Sequence, residues 1–208
     1  MKIYDISMPI CEGMMTYKNR KELEPRIEVV KDFDANEIHE TSICIHTHTG
    51  THIDAPFHML TDGAKISDID LYRVVTNCRV LDLTYVKERI SCDDLETKNI
   101  KSGEFLLLKT QNSLNETFVN NFIYLDESGA KYLKEKGIIG VGIDSLGIER
   151  NQINHETHKI LLKENTVILE GLRLGGIIEG KYFLSAAPIN IKEADGSLVR
   201  AILIDFSQ

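Results

Sequence analysis

The sequence has no tryptophan, four prolines and four cysteines in 208 residues, and no long apolar run. Each scarcity excludes something. Cys11, Cys44, Cys78 and Cys92 lie far apart and form no Cys-x-x-Cys pair, so a dense disulfide scaffold and a zinc ribbon both fail. Free thiols in a reducing cytoplasm are the simpler expectation. No stretch approaches the roughly 20 apolar residues that span a bilayer. The start, Met1 to Ser7, reads as a strand rather than the apolar core of a signal peptide. The expectation is therefore a cytoplasmic protein with no membrane partner. Basic residues are outnumbered, 24 against 32 acidic, for a formal net charge of -8, and they are scattered apart from short clusters such as Lys131 to Lys136. That excludes a nucleic-acid binder, which needs clustered Lys and Arg. With no Pro/Gly/Ser-rich linker and no repeat, residues 1–208 read as one domain.

What is present is mostly strand. Lys2 to Ile6 alternates, Arg26 to Val30 is β-branched, and Thr41 to His48 has period two. Cys78 to Thr84 and Glu104 to Thr110 look like strands buried on both faces, and Ile138 to Ile143 and Thr166 to Glu170 read as strands too. Helices are short. Ser91-Cys-Asp-Asp94 has the form of a capping box, Ser128 to Lys136 a helix capped by Ser128 and stopped by Gly137, and Thr157 to Asn165 another helix. The tail predicts a hairpin across Asp195-Gly196. Met8 to Pro25 carries no pattern, and long loops of this kind are often functional. The class is α/β or α+β, a mixed, strand-rich sheet with few short helices.

Four of the seven histidines fall between positions 46 and 58, together with Asp54. Imidazoles packed this way repel when protonated and leave nitrogens unpaired when neutral and buried. A bound cation resolves both problems, because neutral imidazole and carboxylate are ligands for Zn²⁺ or Mn²⁺. On an extended chain His46 and His48 share one face, and His52 and Asp54 share another. Gly50 permits the turn between them, and Pro56 disfavours helix at Ala55. His48, His52 and Asp54 are thus candidates to converge on one ion, with His58 four residues beyond. His46 is either a bystander or a group behind the ligands. A lone histidine is usually an ordinary core or surface residue; four in thirteen residues beside an aspartate is a different matter. Two other metal patterns fail. The chain is short for an eight-fold barrel of about 250 residues, and Gly50 and Thr51 stand where a metallo-β-lactamase motif needs Asp and His.

The string His48-x-Gly-Thr-His52-x-Asp54-x-Pro-x-His58 resembles the signature of the cyclase-like metal-dependent hydrolases, a family that includes bacterial kynurenine formamidase and isatin hydrolase. Asp5-Ile-Ser7, Gly142-Ile-Asp144-Ser145, His158 and Glu170 follow in matching order, thinly between residues 85 and 135. The resemblance implies a swivelling β/β/α-type domain. It also implies two divalent ions per chain, Zn²⁺ first and Mn²⁺ second: His48, His52 and Asp54 on one ion, Asp54 bridging to a second held by His158, and Glu170 touching both. It assigns His58 as general base and acid, and an aromatic of the N-terminal loop, here Tyr17, to the substrate. That loop reads Met14-Met-Thr-Tyr-Lys-Asn-Arg20, without the proline-glycine pattern common in formamidases. His155 has no counterpart and reads as a surface residue; Asp144 reads as structural or catalytic. The implied activity is cleavage of an arylformamide of the N-formylkynurenine kind, as in tryptophan catabolism. Hydrolysis or closure of a cyclic amide or lactone is the alternative, and a non-catalytic metal or small-molecule binder the third reading. A homodimer or homotetramer is implied as well.

Overall fold

The structure, a computed structural model, describes residues 1–207. Its strands are β1 (Lys2–Asp5), β2 (Arg26–Lys31), β3 (Glu40–Cys44), β4 (His52–Asp54), β5 (Val75–Asp82), β6 (Arg89–Ile90), β7 (Phe105–Lys109), β8 (Tyr124–Leu125), β9 (Gly140–Ile143), β10 (Val167–Glu170), β11 (Gly180–Ser185), β12 (Gly196–Leu198) and β13 (Ile202–Asp205). The helices are α1 (Cys92–Glu96), α2 (Glu127–Lys136) and α3 (Glu156–Lys163). Among the described residues a nine-stranded sheet runs in the order β1-β13-β11-β5-β7-β9-β10-β4-β12, with β2-β3 and β6-β8 as separate pairs. The centre, β5-β7-β9-β10, is parallel; both flanks are antiparallel. This is the mixed, strand-rich α/β architecture expected.

The strand β7 shows why the run Phe-Leu-Leu-Leu is apolar throughout. Phe105 and Leu107 enter one core, Leu106 and Leu108 another, and all four are fully buried. Side chains alternate across a strand, so a strand covered on both faces has no polar position. The first core draws on Ile6, Ile53, Leu169, Leu184 and Leu203, from both flanks of the sheet, which curls round it. The second is roofed by Ala130 and Leu133 of α2 and Leu161 and Leu162 of α3. A third, smaller cluster joins Met8 and Met14 of the N-terminal loop to Phe118, Phe122 and Leu146, with Tyr17 packed against it.

Several elements differ from expectation. Asp126, not Ser128, caps α2: its Oδ1 accepts from Gly129 N at 2.9 Å, so the helix begins at Glu127. The tail is not a simple hairpin. Its two arms do pair, Phe183 opposite Ile204, but the connection between them crosses to the far edge as β12, beside β4. Asp195-Gly196 is therefore the entry to an edge strand, and that detour carries Asp195 to the histidine segment. The strand predicted over Thr41 to His48 ends at Cys44, and His46 to His48 form a turn.

Candidate metal centre

The centre is assembled at the carboxyl ends of β9 and β10, where open α/β sheets usually take their ligands. His52, Ile53 and Asp54 of β4 are all buried, and Ile53 joins the curled core while His52 and Asp54 share the opposite face. β10 lies antiparallel to β4 with Glu170 in register with His52, which brings Glu170 to the same place. His158, buried on α3, closes the cluster from above. His48 reaches it from the turn.

Gly171 and Gly196 permit this approach. A Cβ on Gly171, whose φ is +70°, would lie 2.2 Å from Gly50 O, so the backbone after Glu170 fits against the histidine turn only without a side chain. A Cβ on Gly196 would lie 2.7 Å from His48 Cε1. Thr51 ties the segment down, donating to Gly171 O at 2.6 Å and accepting from Met8 N at 2.8 Å.

Asp54 is the hub. Its Oδ1 is 2.9 Å from His48 Nδ1 and 3.4 Å from His52 Nε2, and its Oδ2 is 3.4 Å from His158 Nε2. Glu170 repeats the pattern, Oε2 at 3.4 Å from His52 Nε2 and Oε1 at 3.4 Å from His158 Nε2. Asp54 Oδ2 is buried with no hydrogen-bond partner among the described residues. Separations of 3.4 Å are long for hydrogen bonds, but they match the edge of a tetrahedron whose centre lies about 2.1 Å from each donor. His52 Nδ1 is 2.9 Å from Gly50 O, and since a carbonyl only accepts, Nδ1 donates there, so when the ring is neutral its Nε2 lone pair faces the carboxylates. His52, Asp54 and Glu170 offer ligand atoms within 4.8 Å of one another, and His48, Asp54 and His58 do likewise. An orphaned buried carboxylate oxygen, two shared carboxylates and imidazoles on either side fit a metal ion.

The charges are strongly perturbed. Burial pushes the Asp54 carboxyl up, but the imidazoles of His158, His48 and His52 outweigh it and hold the group well below the usual carboxylate range. Burial and the neighbouring Asp54 charge raise Glu170, yet His158 and His52 bring it down to about 2. His52 is pulled the other way: burial lowers it, and Asp54 with Glu170 raises it to about 10. His158 is likewise raised well above its ordinary value despite burial, by Asp54, Glu149 and Glu170. His58 alone is lowered, by burial first; Asp54 and Glu170 oppose the fall, and His48 and His158 add to it.

His58 sits at the rim, its ring 4.0 Å from that of His48 and 6.0 Å from that of His158. The cluster floors an open cavity of about 720 Å³, whose wall includes Tyr17, Leu23, His46 and Ile153. Tyr17 stands edge-on to Phe118 and Phe122, with ring centres 5.2 and 6.3 Å away. His46 does not join the cluster; its Nε2 is 3.2 Å from Glu22 O.

Four further residues find their partners here. Asp144 is a structural tie, its buried carboxylate accepting from Thr110 N, Thr110 Oγ1 and Ser113 Oγ at 2.9, 2.6 and 2.7 Å. Asp195, hidden in an apparent turn, places Oδ2 3.0 Å from His48 Nε2 and 3.5 Å from His58 Nδ1. Glu149 is buried against His155 and His158; His155 is an exposed surface residue, as expected, whose Nδ1 reaches Glu149. No local pattern marks Glu149 or Asp195, since each acts on a residue distant in sequence or across a bend.

Fold and site together define a metal-dependent hydrolase. The sequence profile of the family described as putative cyclase matches residues 4–150. Kynurenine formamidase of Bacillus cereus (strain ATCC 10987 / NRS 248) is 33% identical over 202 residues, spanning 96% of this chain and 95% of that protein. That of Geobacillus thermodenitrificans is 36% identical over 176 residues, 82% of each. A structure described as a potential metal-dependent hydrolase with cyclase activity superposes with a TM-score of 0.92 at 44% identity, covering 97% of this chain and 96% of that one. Isatin hydrolase A of Ralstonia solanacearum, at 20% identity and TM-score 0.86 over 98% and 92%, shares the fold. The chain belongs to the putative cyclase family.

Proposed function

We propose that this chain hydrolyses an N-aryl formamide of the N-formylkynurenine kind. The observation that carries the reading is His58 at the rim of a cluster of three imidazoles and two shared carboxylates, flooring an open cavity of about 720 Å³ with Tyr17 in its wall. Full-length similarity to kynurenine formamidases supports it.

In this reading His48, His52 and Asp54 hold one divalent ion, His158 the second, and Asp54 and Glu170 face both; Zn²⁺ is the first expectation and Mn²⁺ the second. Such ions supply Lewis-acid charge and a water whose acidity is raised toward neutrality. The chain's own residues do the rest. The carboxylates, both held far below neutrality, contribute two negative charges that balance the cations. His58, which burial pushes below the ordinary imidazole range, accepts a proton and then returns it to the departing aryl nitrogen. Tyr17, braced by Phe118 and Phe122, packs against the aryl ring. We further propose a cytoplasmic homodimer or homotetramer, a reading supported by the exposed apolar side chains of the β2–β3 hairpin.

The test is one purified preparation assayed on N-formylkynurenine, formylanilide, isatin and a lactone panel, before and after chelation. Formamide turnover that disappears with chelation and returns with Zn²⁺ or Mn²⁺ is the expected result. Turnover of the lactones or isatin alone would overturn the substrate, and turnover indifferent to chelation the metal.

A further inference from the structure

Glu149 is a buried carboxylate whose side-chain partners are imidazoles. Its side chain is 5% exposed, and among the described residues it pairs with no Lys or Arg. Instead Oε1 lies 2.5 Å from His155 Nδ1 and 3.1 Å from His158 Nδ1, while Oε2 accepts from the backbone N of His158 at 3.3 Å. Burying a carboxylate is costly unless its partners repay it, and these partners all belong to one end of α3.

The His158 ring is held between two groups of acceptors. Nε2 faces Asp54 Oδ2 and Glu170 Oε1, each at 3.4 Å; Nδ1 faces Glu149 on the opposite side. The contact with Glu149 is close, but among the described residues Nδ1 completes no hydrogen bond, and Glu149 is the carboxylate that faces it. A neutral imidazole carries one N–H and one lone pair, and a carboxylate only accepts. A carboxylate behind Nδ1 therefore claims the proton on that side and leaves the lone pair on Nε2, aimed into the cluster. His155 secures the arrangement from the outer side: it takes a left-handed backbone, φ 55°, at the residue before α3, and there its Nδ1 meets Glu149.

We propose that Glu149 is the positioning residue of the His158 half of the metal centre: it fixes the tautomer and ring orientation in which His158 binds an ion, and is not itself a ligand. This rests on the metal reading above. Partners behind metal-binding histidines typically change affinity by about 10–100-fold when removed.

The experiment is Zn²⁺ titration of the full chain, stripped with chelator, in competition with a chromophoric chelator, for wild type, D54A, E149A and E149Q. Wild type binds two ions. E149A weakens one of them about 10–100-fold, while its far-UV spectrum stays at the wild-type form. E149Q, whose amide oxygen still accepts the Nδ1 proton, recovers most of the affinity. In Zn²⁺-loaded wild type a slowly exchanging His158 Nδ1–H proton appears by NMR, a readout that needs no variant. Unchanged affinity in E149A, E149Q as weak as E149A, or no such proton would each overturn the proposal while leaving the metal centre standing. Three ions in wild type and two in E149A would make Glu149 a ligand and overturn it too. If wild type binds no Zn²⁺, or D54A binds as wild type does, the metal reading falls and this proposal with it.

Discussion

His58 and Asp195 form a pair that the chain brings together from 137 residues apart, with Asp195 Oδ2 3.5 Å from His58 Nδ1. An acceptor there turns the other nitrogen of His58 toward the cavity. Replacing His58 with alanine is expected to lower kcat by about 10²–10⁴-fold with metal content unchanged; a parallel loss of metal would make His58 a ligand instead. D195N is expected to lower kcat by about tenfold with little change in KM, because the amide still contacts the ring without its charge. Since His58 is lowered by burial, kcat/KM should fall only below about pH 6.5, the unperturbed value. A fall beginning at pH 8 would point to a different base.

The same residues set a pH dependence of stability in protein stripped of metal. Asp54 and Glu170 are depressed, so their contribution is present above about pH 4, the unfolded value, and is lost as pH falls through the folded one, about 2 for Glu170. His52 and His158 are raised, so theirs is complete below about pH 6.5 and is lost as pH climbs, through about 10 for His52. Stripped protein should therefore melt at its highest temperature near pH 5–6 and progressively lower from pH 7 to 10. Metal needs the imidazole lone pairs that protons occupy, so loaded protein should show little of this decline. Calorimetry at pH 6 and pH 9, with and without metal, measures it; a stripped protein more stable at pH 9 would contradict the assignment.

At the level of elements, the junction between β10 and the turn before β4 is the most exacting. Gly171 combines a left-handed φ of +70° with a 2.2 Å approach to Gly50 O. G171A is expected to cost more than about 2 kcal/mol, since both the strain and the collision must be relieved by moving β10 away from β4. The midpoint of urea unfolding reads this directly, and metal affinity should fall with it because Glu170 moves too. A surface glycine gives the contrast: Gly176 has open space round its Cβ, and G176A should be nearly neutral.

At the scale of the whole molecule, the β2–β3 hairpin stands apart from the nine-stranded sheet and exposes Val29, Val30, Phe33, Ile38 and Ile43. An isolated two-stranded hairpin is marginal in water. Cover by another copy would stabilise it, so light scattering at micromolar concentration should give a dimer or tetramer, and V30E with I43E should shift it toward monomer. A wild-type monomer would refute the oligomer. No helix among the described residues is long and apolar enough to cross a membrane.

The sequence by itself determined the strand-rich class, because alternation and doubly apolar runs such as Phe105 to Leu108 follow from which faces must be dry. It also made the histidine segment conspicuous, because His48, His52, Asp54 and His58 are close along the chain and their types suit one chemistry. His158 and Glu170 were legible only through a resemblance, since a histidine on a helix and a glutamate at a strand end have no local signature. Glu149, Asp195 and the role of His155 were not legible at all. Their meaning lies in what they face, and facing is set by strand order: the antiparallel register of β4 and β10 puts Glu170 beside His52, and the detour of β12 to the sheet's far edge delivers Asp195. Periodicity fixes which way a side chain points from its own strand; only the packing of strands and helices decides what it meets.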